Sequence, residues 1–564
     1  MVAKTFQGLE DVLRDELLEL GADNVEIGNR MVSFEGDLEM LYKANLCCRT
    51  ALRILKPIVM FNANSTDELY DYLRDLQWEQ FMDSDTTFSV DSTVYGDDFN
   101  HSKFVTYKVK DAIVDHFRDL NGSRPSIRLE GADLQFNVHI AGNRVTVSLD
   151  SSGEPLYKRG YKVDQTEAPI NEVLAAGIIL KTGWRGDSDF LDPMCGSGTF
   201  LIEAALIAAN INPGIYRESF AFEKWRDFDK DLFEELYNDD SEEREFRYKI
   251  FGGDIDPDAI AITRKNVKSA RVEEMVEMRC CPLTDWQADT AEGVIVTNPP
   301  YGERLRPDNL NGLYKEIGST LKNNFQGWHA WIIAYNDDHM KEIGLKPSLK
   351  IPLNNGKLEC SLREYVMFDG SYSQFRADGG SVASEASEKR KNEGPRKVKH
   401  ISDDEWTKES RKFNRDKGIK RNKPRDEFRN RKSHRNDNDF RRDDFRKNAD
   451  NAYLRNDKEN YQMNNDDGYR RNIEDNYRKN KDNFRRGKDN DRNPKDRDRG
   501  FGRDKNQDRD FRPRNNQRRE GGPFSTYTPG NSKGPRIPRS EETVINPVHI
   551  RKRKQRSSFE DDGD

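Results

Sequence analysis

From about residue 160 to residue 370, short apolar runs of strand length alternate with stretches whose apolar residues fall at helical spacing. The strand candidates are 189-DFLDP-193, 248-YKIFGGDI-255, 293-GVIVTNP-299, 328-WHAWIIA-334 and 364-EYVMF-368. Between them, helical spacing runs through 169–183, 199–211, 257–272 and 311–325. This rhythm predicts an α/β domain with a mostly parallel sheet covered by helices on both faces. Open sheets of that kind place their ligands beyond the carboxyl ends of the strands.

Upstream, the units are smaller. Leu9, Val12, Leu13, Leu17 and Leu20 share a helical face that ends at Gly21; strand-like runs at 25–36 and a helical stretch at 38–55 follow. Residues 67–81 read as helix, 86–94 as a strand and 104–120 as a further helix. The runs 134-LQFNVHI-140 and 144-RVTVSLD-150, separated by Ala141, Gly142 and Asn143, predict a hairpin. Two small α+β domains are therefore expected, over residues 1–58 and 59–155, ahead of the larger α/β domain over 156–370.

After residue 370 the composition changes. Residues 1–370 carry 41 Lys and Arg against 64 Asp and Glu, whereas residues 371–564 carry 53 against 37. The near-neutral whole chain is thus an acidic body joined to a basic tail. Segments such as 488-KDNDRNPKDRDRGFGRDKNQDRDFRPR-514 lack the apolar area needed to offset the entropy of ordering, so the tail over 371–564 is expected to be disordered. The six cysteines, at 47, 48, 195, 280, 281 and 360, form no Cys-x-x-Cys and predict neither a disulfide framework nor a metal site. They fit reduced thiols in a cytoplasmic protein. No stretch has the apolar length of a membrane span, and the N-terminus has no signal-peptide core.

Three runs carry chemistry. In 191-LDPMCGSGTFLIEAAL-206, Gly196 and Gly198 let the backbone turn tightly at a strand end and approach a ligand, with Asp192 placed to accept hydrogen bonds. In 252-GGDIDPDAI-260, an acid ending the next strand can accept from both ribose hydroxyls of a nucleotide cofactor. Asp254 is the candidate, because Asp256 also suits the cap of a helix opening at Pro257. The third run, Asn298-Pro299-Pro300-Tyr301, follows the apolar strand 293–297. Its prolines stiffen the loop, the Asn298 amide and Pro299 carbonyl offer acceptors for an exocyclic base amine, and Tyr301 offers a ring to stack on the base. Taken alone, each of these runs also fits an ordinary turn.

Together, the three runs resemble the class I methyltransferases that modify exocyclic amines. Within them the chain resembles the large-subunit ribosomal RNA guanine-N2 methyltransferases that carry a THUMP domain. Residues 157-YKRGYKV-163 and 167-EAPINEVLAAGIIL-180 resemble that family's junction and leading helix, and 103-KFVTYKVKDAIVDHF-117 its THUMP core. The resemblance covers about residues 1–370 and implies a ferredoxin-like α+β region, a THUMP domain and a Rossmann-like methyltransferase domain. It implies S-adenosylmethionine as cofactor, held by Asp192, Gly196, Gly198 and Asp254, with Asn298, Pro299, Pro300 and Tyr301 as the catalytic loop. It implies N2-methylguanine in 23S rRNA as product. In 280-CCPLTDW-286, Pro282 stands near the point where many relatives place an adenine-contacting acid, so Asp285 is the nearest candidate. Some relatives fuse a second methyltransferase domain that makes 7-methylguanine. No second Gly-rich strand and turn follows residue 370, so the resemblance implies the first activity alone.

An acidic body needs a local basic patch to hold RNA. Lys103, Lys108 and Lys110, with Lys158, Arg159 and Lys162, are its candidates, and Arg304 or Arg306 would meet phosphate near a flipped base. The basic tail offers a further electrostatic contact. The alternatives are N2-guanine methylation of transfer RNA, N6-adenine methylation, and a non-catalytic RNA-binding ribosome assembly factor.

Overall fold

A computed structural model describes residues 1–96, 98–301, 309–335, 337–370, 375, 377 and 402–421. The first sheet has seven strands: β1 (Val2–Lys4), β2 (Asp23–Gly28), β3 (Met31–Glu35), β4 (Arg53–Asn62), β5 (Phe88–Tyr95), β6 (Leu134–Ala141) and β7 (Arg144–Asp150). Their order across the sheet is β2-β3-β1-β4-β7-β6-β5. Helices α1 (Glu10–Glu19), α2 (Leu38–Cys47), α3 (Thr66–Arg74) and α4 (Ser102–Asn121) pack with it around one hydrophobic core. The two small domains expected from the sequence therefore share a sheet. A boundary at residue 58 falls inside β4, whose first three residues pair with β1 while β7 runs along most of its length.

The second sheet contains β8 (Asp189–Asp192), β9 (Ile250–Asp254), β10 (Val276–Cys280), β11 (Gly293–Thr297), β12 (His329–Ala334), β13 (Leu349–Asn355) and β14 (Leu358–Val366). Their order is β10-β9-β8-β11-β12-β14-β13, with only β14 running against the other six. The chain reverses direction on either side of β8, so the loops after β8 and β11 diverge at the switch point where such sheets bind ligands. Helices α5 (Glu172–Thr182), α6 (Thr199–Ala208), α7 (Lys230–Asn238), α8 (Pro257–Ala270), α9 (Leu310–Asn324) and α10 (Asp337–Glu342) complete the unit. Helix α6 is buried along its whole length because both of its sides meet protein, which explains its nearly all-apolar sequence.

The segment after α6 ties the two sheets together. Phe220, Phe222, Trp225 and Phe233 join the core of the first sheet, with the Phe222 ring 4.5 Å from that of Tyr42. Arg217 donates to the carbonyls of Ser152, Glu154, Pro155 and Lys158, fixing the segment that connects the two halves.

One expectation is corrected here. Residues 402–421, assigned to a disordered tail, contain helix α11 (Asp403–Asp416). A capping box starts it: the Ser402 hydroxyl accepts from Glu405 N while Glu405 accepts from Ser402 N. The helix lies against β4 where β1 no longer pairs with it. There the Asn414 side chain accepts from Met60 N at 3.1 Å and donates to Met60 O at 2.6 Å, supplying the hydrogen bonds a neighbouring strand would have made. Asn62 donates to Thr407 and Gln77 N to Lys420 O, and Arg421 lies 4.0 Å from the Tyr72 ring centroid.

Candidate active site

Strand β8 ends at Asp192, and the turn that follows is built from backbone only glycine adopts without strain. Gly196 has φ +54° and Gly198 φ +80°, and a Cβ on Gly198 would stand 2.6 Å from Thr263 Cγ2 of α8. Asn266 of α8, fully buried, accepts from Val163 N and Asp164 N and donates to the carbonyls of Asp164 and Ser197. That single side chain binds the segment before α5 to the glycine turn.

Asp254 closes the turn from the neighbouring strand. Its carboxylate accepts from Gly196 N at 2.9 Å and Asp256 N at 3.0 Å, and burial raises its pKa. Asp256 itself caps α8 by accepting from Asp258 N, the role its place before Pro257 suggested. Ile255, beside Asp254, is an apolar side chain left 73% exposed at the strand end. Sequence reasoning passed over it, although an apolar residue between two acids at a strand terminus is the available signal. Cys281 N donates to Asp254 O, which brings the loop carrying Asp285 to the same edge. Asp285 is half-buried there and accepts from the Thr284 hydroxyl.

Asp192 proves to be a strut. Its carboxylate is buried and accepts from Met194 N at 3.2 Å and from the Thr297 hydroxyl at 2.9 Å, while burial pushes its pKa up to about 7. Thr297 is the last residue of β11, so this bond fastens the glycine turn to the loop that begins at Asn298. In that loop Pro299 is buried and Asn298 and Pro300 half-buried. The Tyr301 hydroxyl donates to Asn298 Oδ1, and the Tyr301 ring packs against the cores on both sides of the second sheet. Burial raises the Tyr301 pKa well above its ordinary value, so the hydroxyl stays protonated.

These features fit S-adenosylmethionine. The glycine turn leaves no room for a side chain against α8, the Thr199 hydroxyl that opens α6 is buried with no hydrogen-bond partner, and two carboxylates and an exposed isoleucine line the strand ends. A cleft of about 1090 Å³ lies elsewhere, with Asp11, Glu16, Arg49, Lys181 and Arg185 in its walls. Lys181 pairs there with Asp11 and Arg49 donates to Ile211 O, so its polar walls serve the seam between the two sheets.

The RNA candidates separate sharply. Arg159 is only 2% exposed; it pairs with Glu203 and donates to the carbonyls of Leu156 and Arg49. Lys162 forms a largely buried pair with Glu172 at 2.6 Å, and Lys110 is 7% exposed with its Nζ 5.9 Å from the Tyr107 ring centroid. All three are structural cations, and the expectation that they contact RNA is corrected. Lys103 is exposed, Lys108 lies half-exposed near Asp67, and Lys158 pairs at the surface with Glu154. Arg304 and Arg306 lie outside the described residues. On α4, Phe104 and Tyr107 are 49% and 46% exposed, and Tyr95 of β5 is exposed as well. The helical register that buries Val105, Val109 and Ala112 turns 104 and 107 outward, a signal present in the sequence but unused.

Comparison with known proteins agrees with this geometry. Residues 1–55 match the RlmL ferredoxin-like domain, 63–150 the THUMP domain, and 159–364 the RMKL-like methyltransferase domain. A Synechocystis protein named "Putative RNA methyltransferase" is 36% identical over 369 residues, covering 65% of this chain and 96% of that protein. The ribosomal RNA large subunit methyltransferase K/L of Syntrophotalea carbinolica is 40% identical, covering 66% of this chain. The chain spans about half of such K/L proteins, 54% of that one and 49% of the one from Psychromonas ingrahamii. A crystal structure described as "a putative methyltransferase complexed with SAH" superposes with TM-score 0.59 at 32% identity, covering 66% of this chain and 98% of that one. One from Listeria monocytogenes, described as a predicted N6-adenine-specific DNA methylase, gives 0.59 at 32%, covering 65% and 95%. The chain belongs to the family of S-adenosylmethionine-dependent methyltransferases that join an RMKL-like catalytic domain to a THUMP domain.

Proposed function

We propose that this chain methylates the exocyclic N2 amine of a guanine in large-subunit ribosomal RNA. The observation that carries the reading is the Thr297–Asp192 bond, which holds Asn298 at the end of β11 beside the glycine turn of β8. S-adenosylmethionine supplies an electrophilic methyl group on a sulfonium sulfur. The chain's part is to present the amine to it.

An amine conjugated to a base ring is a weak nucleophile, so orientation matters more than a strong base. Asn298 Oδ1 and the Pro299 carbonyl accept the two amine hydrogens and turn the nitrogen lone pair toward the methyl group. In the transfer the nitrogen–methyl bond would form as the methyl–sulfur bond breaks, S-adenosylhomocysteine would leave, and the amine nitrogen would release one proton to water. Tyr301 now holds Asn298 Oδ1, so the base reaches this acceptor by displacing the tyrosine hydroxyl. A base in a duplex must first leave its stack.

Lys103, Phe104, Tyr107 and Lys108 on the THUMP surface, and the separately exposed Lys158, offer cations and rings to unpaired RNA. The names of the K/L relatives support ribosomal RNA as the substrate. A second reading, an adenine N6 amine, is favoured by the likeness to the Listeria protein described as an adenine-specific methylase, and the same two acceptors would serve it. Incubating the full chain with S-adenosylmethionine and, separately, unmodified 23S rRNA and transfer RNA, then identifying nucleosides by mass, tests the assignment. N2-methylguanosine from 23S rRNA is expected; N6-methyladenosine, or methylation of transfer RNA alone, would replace it with the other readings.

A further inference from the structure

Helix α11 is two-faced. Trp406, Thr407, Ser410, Phe413 and Asn414 point toward the first sheet, half-buried or buried, and hold the helix over the open side of β4. On the opposite face Lys408, Arg411, Lys412 and Arg415 are all exposed. Their i, i+3, i+4, i+7 spacing gathers them within an arc of about 100° and along about 10 Å of helix. From Lys408 to Arg421 the segment has seven cationic side chains against two acidic ones. The acids Asp403, Asp404 and Glu405 sit instead in the first turn, where they complement the helix dipole.

We propose that this stripe is an RNA-phosphate contact surface fixed to the THUMP domain, resting on the reading above that the substrate is RNA. Two observations point the same way. The body on which the helix docks is strongly acidic, and three of the six basic residues expected to offset that charge in residues 103–162 are internal. The helix also seats on β4 and on β7 of the THUMP domain through side chains distinct from the stripe: Asn414 to Met60, Thr407 to Asn62, and Asp403 to Arg144. Docking thus holds four cations at a set spacing on the domain, whereas the same charges on a loose chain would meet phosphates with no fixed register. RNA backbone is the partner that a short linear row of guanidinium and ammonium groups fits.

The test replaces all four side chains, K408Q/R411Q/K412Q/R415Q, in the full-length chain and follows binding of in vitro transcribed 23S rRNA across a salt series. Each lost phosphate contact lowers the log affinity versus log salt slope by about 0.7 to 0.9, so a reduction of about 3 is expected, with affinity at least tenfold weaker at low salt. Thermal midpoint and S-adenosylmethionine binding should match the parent, because none of the four touches the core or the cofactor loops. An unchanged slope and affinity would overturn the proposal. A second variant, Trp406→Ala with Asn414→Ala, keeps every charge but frees the helix; binding equal to the parent would show that the docked position contributes nothing and would overturn it equally. If the parent itself shows no salt-dependent RNA binding, the RNA reading fails first, which separates the two claims.

Discussion

At the scale of single residues, the site depends on side chains whose partners lie far away in sequence. Asn298→Ala removes the acceptor proposed to orient the amine without touching the glycine turn. Turnover should fall by about a hundredfold or more, in line with about 3 kcal/mol for a lost transition-state contact, while calorimetry should find cofactor affinity unchanged. Asp254→Ala should do the reverse, weakening cofactor binding at least tenfold. It also frees Gly196 N, so any activity at saturating cofactor reports how much of the turn survives. Asp192 makes a pH prediction. Its pKa is raised from the ordinary carboxylate value of 3.8 to about 7, so the native protein holds a proton there that the unfolded chain has already lost. Native stability contributed by this group is therefore present below about pH 4 and is lost as pH rises to about 7. Thermal melts from pH 5 to 8 should show that decline, and Asp192→Asn should flatten it by an amount on the order of a few kcal/mol. The glycines that follow Asp192 mark it in the sequence as a candidate site residue. Its bond to Thr297 was not legible, since 105 residues separate the two. Arg159 and Lys162 mislead for the same reason: the carboxylates that bury them, Glu203 and Glu172, belong to later helices.

At the scale of elements, periodicity and turn residues identified the strands that carry the candidate site, β8, β9 and β11, and the helices that follow β8 and β9. The three-residue β1 and the antiparallel β13 escaped notice, because so short a strand shows no period and a hairpin appended to a parallel sheet breaks the expected rhythm. Strand β4 was absorbed into the helical stretch before it; its register becomes clear only through β1 on one side and β7 on the other. Helix α11 was hidden by averaging composition over the whole tail, although Ser402 and Glu405 spell a capping box. Its docking predicts that two truncations behave differently. Ending the chain at residue 401 should lower the thermal midpoint of the first-sheet unit, because Met60 N and O lose their partners. Ending it at Arg421 should not. Asn414→Ala alone should cost about 1–3 kcal/mol, the usual penalty for leaving buried backbone groups unsatisfied, and chemical denaturation measures it.

At the scale of the whole molecule, the charge division of the sequence becomes a division of labour. An acidic two-sheet body carries the candidate cofactor loops, and among the described residues after 370 helix α11 packs on the first sheet. Removing residues 422–564, which hold 39 Lys and Arg against 28 Asp and Glu, should weaken rRNA binding at low salt and leave cofactor affinity unchanged. The order of domains was legible because each has its own motif, whereas their union around a shared first sheet and the aromatic segment after α6 was not. The measurement that bears most directly on the whole account is nucleoside mapping of large-subunit rRNA from cells lacking this protein, complemented with the parent or with Asn298→Ala. The account predicts that one N2-methylguanosine disappears, that the parent restores it and that the variant does not. An unchanged rRNA methylation profile in the deleted cells, or full restoration by Asn298→Ala, would contradict it.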